Sequence, residues 1–299
     1  MEPTTARPHD AGNAADDFRL GGDLSIHRLG FGAMRLSRSG WNGPTRDPEV
    51  GRAVLRRALE LGVNHIDTAD YYRSGDGAVR ANALIREALH PYPPGLVIAT
   101  KVGPIFDRGG RSDPPAHAGA AELRALVEAN LQSLGLQRLD LVYLRIGMMT
   151  PPHGESLAER FEALAALREE GLIRHLGLSN VDAEHLGEAR AIAPVVAVQN
   201  SFHIAKRDDR AVLDACAAAG IAFVPFGPLG GGHANLDDDR LVKVSARDRA
   251  TASQVALAWL LTISPVTLAI PGTGSPAHLE ENMAARPIRL TAEDVAELA

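Results

Sequence analysis

One pattern constrains this chain more than any other. A short, continuously apolar run is followed by apolar residues at helical spacing, and the alternation recurs eight times. Continuously apolar strands are buried on both faces, and strand–helix alternation calls for a parallel sheet. The spacing predicts strands at 28–34, 63–69, 96–102, 139–144, 173–178, 195–199, 221–226 and 266–270. It predicts helices at 48–61, 78–89, 120–134, 157–170, 183–191, 208–219 and 252–262, with a last one from Pro276. Gly62, Gly171 and Gly220 stand where three of these helices should stop. A weak alternation over 18–26 suits a small hairpin. Eight such units in about 250 residues predict an α/β fold, a single-domain (β/α)8 TIM barrel over 18–299. The rival is an open doubly wound sheet, which usually carries G-x-G-x-x-G after its first strand. Here Gly30-Phe31-Gly32 lacks the third glycine, and no helix is expected to start there.

Residues 1–17 are rich in Ala, Pro, Asp and Thr and are expected to form a disordered tail. They lack the basic start and apolar centre of a secretion signal. No apolar run approaches the roughly 20 residues of a membrane span, so the expected location is cytoplasmic. The formal net charge of −6 argues against a nucleic-acid or membrane-binding surface. The single cysteine, Cys216, permits no internal disulfide and makes no metal site; in a helical run it reads as a small buried side chain.

In a barrel of this kind the chemistry sits at the C-terminal ends of the strands. The first strand leads into Gly32, Ala33 and Met34, and the second ends at Asp67 with Tyr71 and Tyr72 close behind. The third ends at Lys101, the fourth at Arg145, the fifth at Ser179-Asn180 and the sixth at Gln199. The seventh runs into Phe226-Gly227-Pro228-Leu229-Gly230, and the eighth into Pro271-Gly272-Thr273-Gly274-Ser275. A free phenol is a poor acid at neutral pH. A neighbouring ammonium lowers its pKa, and a carboxylate keeps that ammonium charged and in place. Asp67, Lys101 and Tyr72 together are therefore expected to make a general acid for a carbonyl oxygen. The alternative for Asp67 and Lys101 alone is a structural ion pair. The glycine and hydroxyl loop ahead of the last helix suits an anion such as a pyrophosphate, and Phe226 can stack on a flat ring.

From Leu20 to Leu290 the residues resemble the aldo-keto reductase family. The likeness is carried by Asp67-Thr68-Ala69 with Tyr72 five residues after Asp67, by Thr100-Lys101 and by Gly177-Leu178-Ser179-Asn180. Val198-Gln199-Asn200 and Ile270-Pro271-Gly272-Thr273 add to it. The resemblance implies reduction of a small aldehyde or ketone with NADPH, NADH being left open. It implies Tyr72 as proton donor, with Asp67 and Lys101 tuning it. Ser179, Asn180 and Gln199 would hold the nicotinamide amide, and Phe226 would stack on its ring. Gly32, Ala33 and Met34, Gly227 to Gly230, and Gly272 to Ser275 would line the cofactor, with Glu281 and Asn282 reaching the adenine. Met34, Trp41, Tyr72, Arg145 and Met148 would face the substrate.

Two departures stand out. The fourth strand ends in Arg145, where the family usually has histidine. Arginine cannot exchange a proton usefully, but it can stabilise developing negative charge or hold an anionic or phenolic group. Together with Asn64-His65-Ile66-Asp67-Thr68 and Phe226-Gly227-Pro228-Leu229-Gly230-Gly231, it makes the chain resemble the pyridoxal reductase subgroup. That implies conversion of pyridoxal to pyridoxine. Two other readings are a reductase tailoring a secondary metabolite and a non-catalytic nucleotide-binding subunit. The second departure concerns the 2′-phosphate of NADPH, for which many family members place Lys or Arg after the eighth strand. Those places here look like Gly272 and His278, leaving the hydroxyls of Thr273 and Ser275.

Overall fold

The structure is a computed structural model that describes residues 17–40, 43–106, 116–147, 151–232 and 238–299. Trp41, Met148 and residues 1–16 of the expected tail lie outside the described residues. Seven strands form one all-parallel sheet: β1 (Phe31–Gly32), β2 (His65–Asp67), β3 (Val97–Val102), β4 (Leu139–Arg145), β5 (Ile173–Ser179), β6 (Val195–Gln199) and β7 (Ala222–Phe223). Neighbours in space are neighbours in sequence from β1 to β7. Residues 266–271 close the ring. Leu268 N donates to Phe223 O and Gly30 N to Ala269 O, each at 2.8 Å. The Arg28 guanidinium adds hydrogen bonds to the carbonyls of Leu261, Ser264 and Thr267 at 2.6, 2.7 and 3.1 Å. Eight positions around one ring make the (β/α)8 barrel.

The helices follow from the expected faces. In Pro48–Glu60, Asp47 caps the start by accepting from Glu49 N, and Gly51, Val54, Leu55 and Ala58 are buried at helical spacing. Ala81–Leu89, Ala120–Leu134, Ala158–Glu169, Ala183–Ile192, Arg210–Ala219, Ala252–Ile263 and Pro276–Met283 complete the outer ring. None of the described helices is long and apolar enough to cross a membrane. Cys216 is buried, as a small apolar side chain would be.

Some boundaries differ from expectation. Asp17, placed in the tail, already pairs with His27 in an antiparallel hairpin of Asp17–Leu20 and Leu24–His27. The first strand stops at Gly32, and Met34 opens a short helical turn, Met34–Ser37, where no helix was expected. The seventh strand is continuous only at Ala222–Phe223; beyond it Phe226 makes an isolated parallel bridge to Ser201. A helix at Asp239–Asp248 was not anticipated; it buries only Leu241 and Val244, too thin a stripe to stand out among its charges. Between Val102 and Ala120, Pro104–Ile105 pairs antiparallel with Ala116–His117.

The hairpin at the start of the chain fills the barrel from below. Its Leu20 and Ile26 are fully buried and pack with Val97, Ala99, Leu141, Tyr143, Ala197 and Leu268 in the interior. Alternate residues, Ile98, Val142, Leu144, Leu176, Leu178 and Val198, face the helices. The period of two therefore decides what reaches the upper rim. Two residues above Ala99 comes Lys101, two above Tyr143 comes Arg145, and two above Ala197 comes Gln199.

Candidate active site

The ladder brings these rim residues together. Register pairs Asp67 with Ala99, Lys101 with Tyr143, Arg145 with Ser179, and Ser179 with Gln199. Both oxygens of Asp67 are used. Lys101 Nζ donates to Oδ1 at 2.5 Å and Gln199 Nε2 to Oδ2 at 2.7 Å. Lys101 donates again to Thr68 O at 2.9 Å. Asp67, Lys101 and Gln199 are almost wholly buried, so this is an ion pair held out of water.

Tyr72 is fixed by its backbone, its N–H donating to Ala69 O and its carbonyl accepting from Ala81 N. The Lys101 ammonium lies over its ring, 4.8 Å from the centroid. Tyr71 stands edge-on to Tyr72 at 5.2 Å and packs against Phe106. The Lys101 hydrogen bonds go to Asp67 and Thr68, not to the Tyr72 hydroxyl. Burial pushes the Tyr72 pKa above the ordinary range, and Asp67 adds to the rise; the Arg145 and Arg38 guanidiniums pull against it. Tyr71 is raised too, burial again being the main cause. Burial thus favours the protonated phenol, and the Arg145 and Arg38 guanidiniums oppose that rise.

Arg145 Nη1 donates to Ser179 Oγ at 2.9 Å, and its guanidinium lies 4.8 Å from the centroid of the Phe226 ring. Two residues expected at the nicotinamide thus also hold the arginine. Asn180 takes a left-handed backbone (φ 61°) and donates through Nδ2 to Ile146 O at 2.8 Å. Gln199 influences the Tyr143 hydroxyl, yet neither Gln199 Oε1 nor the Tyr143 oxygen makes a hydrogen bond of good geometry. A buried amide oxygen without a donor, beside Ser179 and Asn180, suits a carboxamide.

Behind the rim, a buried polar network ties β2 and β3 to their helices. Thr68 Oγ1 donates to Asn82 Oδ1 at 2.8 Å, Thr100 Oγ1 to Asn130 Oδ1 at 2.7 Å, and Asn82 Nδ2 to Asn130 Oδ1 at 3.1 Å. His65, directly below Asp67 on its strand, is fully buried with neither ring nitrogen bonded; burial and the Lys101 charge depress its pKa to about 4.

The glycine loops lie at the ring's closing seam. Gly32 and Gly272 are in backbone contact: a Cβ on Gly272 would sit 2.6 Å from Gly32 O. Thr273 Oγ1 accepts from Ser275 N at 3.0 Å, and Ser275 caps the helix Pro276–Met283, where Glu281 is half-buried and Asn282 buried. His278 is exposed. Gly227, Gly230 and Gly231 follow half-buried Phe226, with Pro228 buried and Leu229 packed on the core. Two residues that the strand-end reading missed stand here. Arg35 donates to Gly231 O, and Arg46 lies against Gly274.

Comparison with known proteins finds relatives along nearly the whole chain. The model of the aldo/keto reductase family matches residues 28–299. Pyridoxine 4-dehydrogenase of Escherichia coli is 48% identical over 94% of this chain and 96% of its own. A thermostable aldo-keto reductase solved with the inhibitor epalrestat superposes with a TM-score of 0.77 at 30% identity, covering 94% of this chain and 98% of its own. An aldo/keto reductase from Klebsiella pneumoniae, solved with NADP and acetate, superposes with a TM-score of 0.78 at 26% identity, covering 95% and 94%.

Proposed function

The chain belongs to the aldo/keto reductase family, and on that premise we propose that it reduces an aldehyde to an alcohol with NADPH, the aldehyde being pyridoxal and the product pyridoxine. The observation that carries this reading is the meeting of Tyr72, the Lys101–Asp67 pair and Arg145 on one rim. The substrate follows from the relative named pyridoxine 4-dehydrogenase and from a guanidinium where a phenolic oxygen can be held.

The cofactor's expected holders fit a dinucleotide. Gln199 Oε1, Ser179 and Asn180 would take the carboxamide, Phe226 the ring, and the loops at 227–230 and 272–275 the phosphates. Gly32, Ala33, Met34, Glu281 and Asn282 complete the set. When bound, NADPH supplies a hydride to the carbonyl carbon. Tyr72 donates its phenolic proton to the carbonyl oxygen as negative charge develops there. Burial and Asp67 keep that proton on until it is needed, and Arg145 and Arg38 stabilise the phenolate left behind. Lys101 and Asp67 fix the floor beneath the ring. Met34, half-buried after the first strand, shapes the entrance.

A turnover panel tests the reading: NADPH oxidation is followed with pyridoxal, simple aldehydes and bulky ketones. Fastest turnover with pyridoxal is expected. Preference for bulky ketones would instead mark a reductase tailoring a secondary metabolite. Binding of NADPH without turnover of any of them would mark a nucleotide-binding subunit.

A further inference from the structure

The strand-8 loop poses a problem that the structure resolves from elsewhere. From Pro271 to Leu279 the chain holds no Lys or Arg. Gly272 cannot carry one, because its Cβ would meet the Gly32 carbonyl at 2.6 Å. Gly274 is also closed to side chains, for a different reason. A Cβ there would lie 2.5 Å from Arg46 Nε and 2.6 Å from Arg46 Cδ, with Arg35 O at 2.8 Å. Arg46 is thus laid flat on the Gly274 backbone, and only glycine leaves room for it.

We propose that Arg46, with Arg35 beside it, binds the 2′-phosphate of NADPH, supplying from the loop after the first strand the cation that the loop after the eighth strand lacks. This rests on the dinucleotide reading above. Three observations carry it. The Arg46 guanidinium makes no hydrogen bond or ion pair among the described residues, and its Nε is buried without an acceptor. Its backbone is pinned by Arg46 N donating to Ser37 O at 3.1 Å, so the side chain is aimed although it is unpaired. A second guanidinium is its neighbour: Arg35 donates to the carbonyls of Ser39 and Gly231, and burial together with the Arg46 charge disfavours its charged form. No carboxylate among the described residues bonds either guanidinium; like charges held together in this way suit an anion, and guanidinium forks suit phosphate oxygens. The hydroxyls of Thr273 and Ser275 accept from Ser275 N and His278 N, so each keeps a proton to donate.

The position selects the 2′-phosphate over the diphosphate. Gly272 lies against β1 at the barrel's seam, whereas Gly274 lies toward the helix Pro276–Met283, which carries Glu281 and Asn282 on the adenine side of this reading. Arg35, tied to Gly231, stands nearer the loop after β7.

Binding of NADPH and NADH to the full-length protein, to Arg46→Ala and to Arg46→Lys, read by calorimetry, tests the assignment. Arg46→Ala is expected to weaken NADPH by about 10- to 100-fold, the value of one charged hydrogen-bonding partner, and to leave NADH within about twofold of the wild type by the same arithmetic. Arg46→Lys should recover part of the loss, and 2′,5′-ADP should compete with NADPH far better than 5′-ADP does. Equal weakening of both nucleotides in Arg46→Ala would overturn the proposal in favour of a diphosphate contact. Unchanged affinity for both would overturn it outright. A wild-type protein that binds neither nucleotide would remove the dinucleotide reading itself, a different failure from the other two.

Discussion

Asp67 and Arg46 sit at the same end of one barrel, yet their charges are treated in opposite ways. Around Asp67 both carboxylate oxygens and two of the three ammonium protons of Lys101 are spent inside the protein, and water is nearly absent. Around Arg46 two guanidiniums crowd together; among the described residues one has no acceptor and the other is bonded only to backbone carbonyls. A closed cluster has little left to offer a ligand, so it acts by fixing what lies above it. An open cluster stores unmet hydrogen-bonding capacity, which a ligand can satisfy. The difference separates residues that hold the site in shape from residues that hold what enters it.

Four measurements break or sharpen that contrast. The largest effect belongs to Tyr72, which stands against the closed cluster. Tyr72→Phe should lower kcat by about 10²- to 10⁴-fold while NADPH affinity changes little; turnover close to wild type would remove Tyr72 from the chemistry. Next comes the closed cluster. Lys101→Met leaves Asp67 buried with only Gln199, and urea denaturation should show a loss of about 3–5 kcal/mol. A loss below 1 kcal/mol would mean that the pair is not closed to water. His65 follows. Its folded pKa of about 4 lies below the ordinary value, so the folded state binds fewer protons than the unfolded one between about 4 and 6.5. Stability is therefore whole above about pH 6.5 and falls by about 3 kcal/mol as the pH drops to about 4. The same scan on His65→Leu should be flatter over that window; an identical slope would assign the acid loss to other groups. The smallest effect concerns Arg145. Arg145→Ala should raise KM for pyridoxal by about tenfold or more and raise it less for an uncharged aldehyde. Equal changes would place Arg145 on the carbonyl oxygen rather than on a phenolic group.

Much of this was legible before any coordinates. Asp67, Lys101, Arg145 and Gln199 stand at the ends of continuously apolar runs, and period two fixes the face on which they emerge. The partners were not legible. Gln199 reaches Asp67 across 132 positions, and nothing local to either signals the bond. Nor does sequence spacing reveal that Lys101 lies over the Tyr72 ring, or that burial of the phenol pushes its pKa up. Arg35 and Arg46 were not legible as cofactor cations because they follow the first strand, far in sequence from the loop after the eighth. The ring brings that loop against the segment after the first, and only the glycine at 274 hinted that another side chain must lie there. The helix Asp239–Asp248 had a readable start in Asp238, which accepts from Arg240 N, but two buried apolar residues were too few to mark it.

The ring closes where Arg28 reaches Thr267, 239 positions along the chain. Between those points the sheet can grow strand by strand through near neighbours, whereas this last joint needs the two ends of the barrel to find each other. It is also the joint from which the loops bearing Gly32 and Gly272 depart. A dinucleotide lying over both would bind only after closure, and would act as a clasp on the final fastening. Amides along 28–32 and 266–271 should then exchange with solvent sooner than those of β4 and β5 in the free protein, and slow the most when the nucleotide is added.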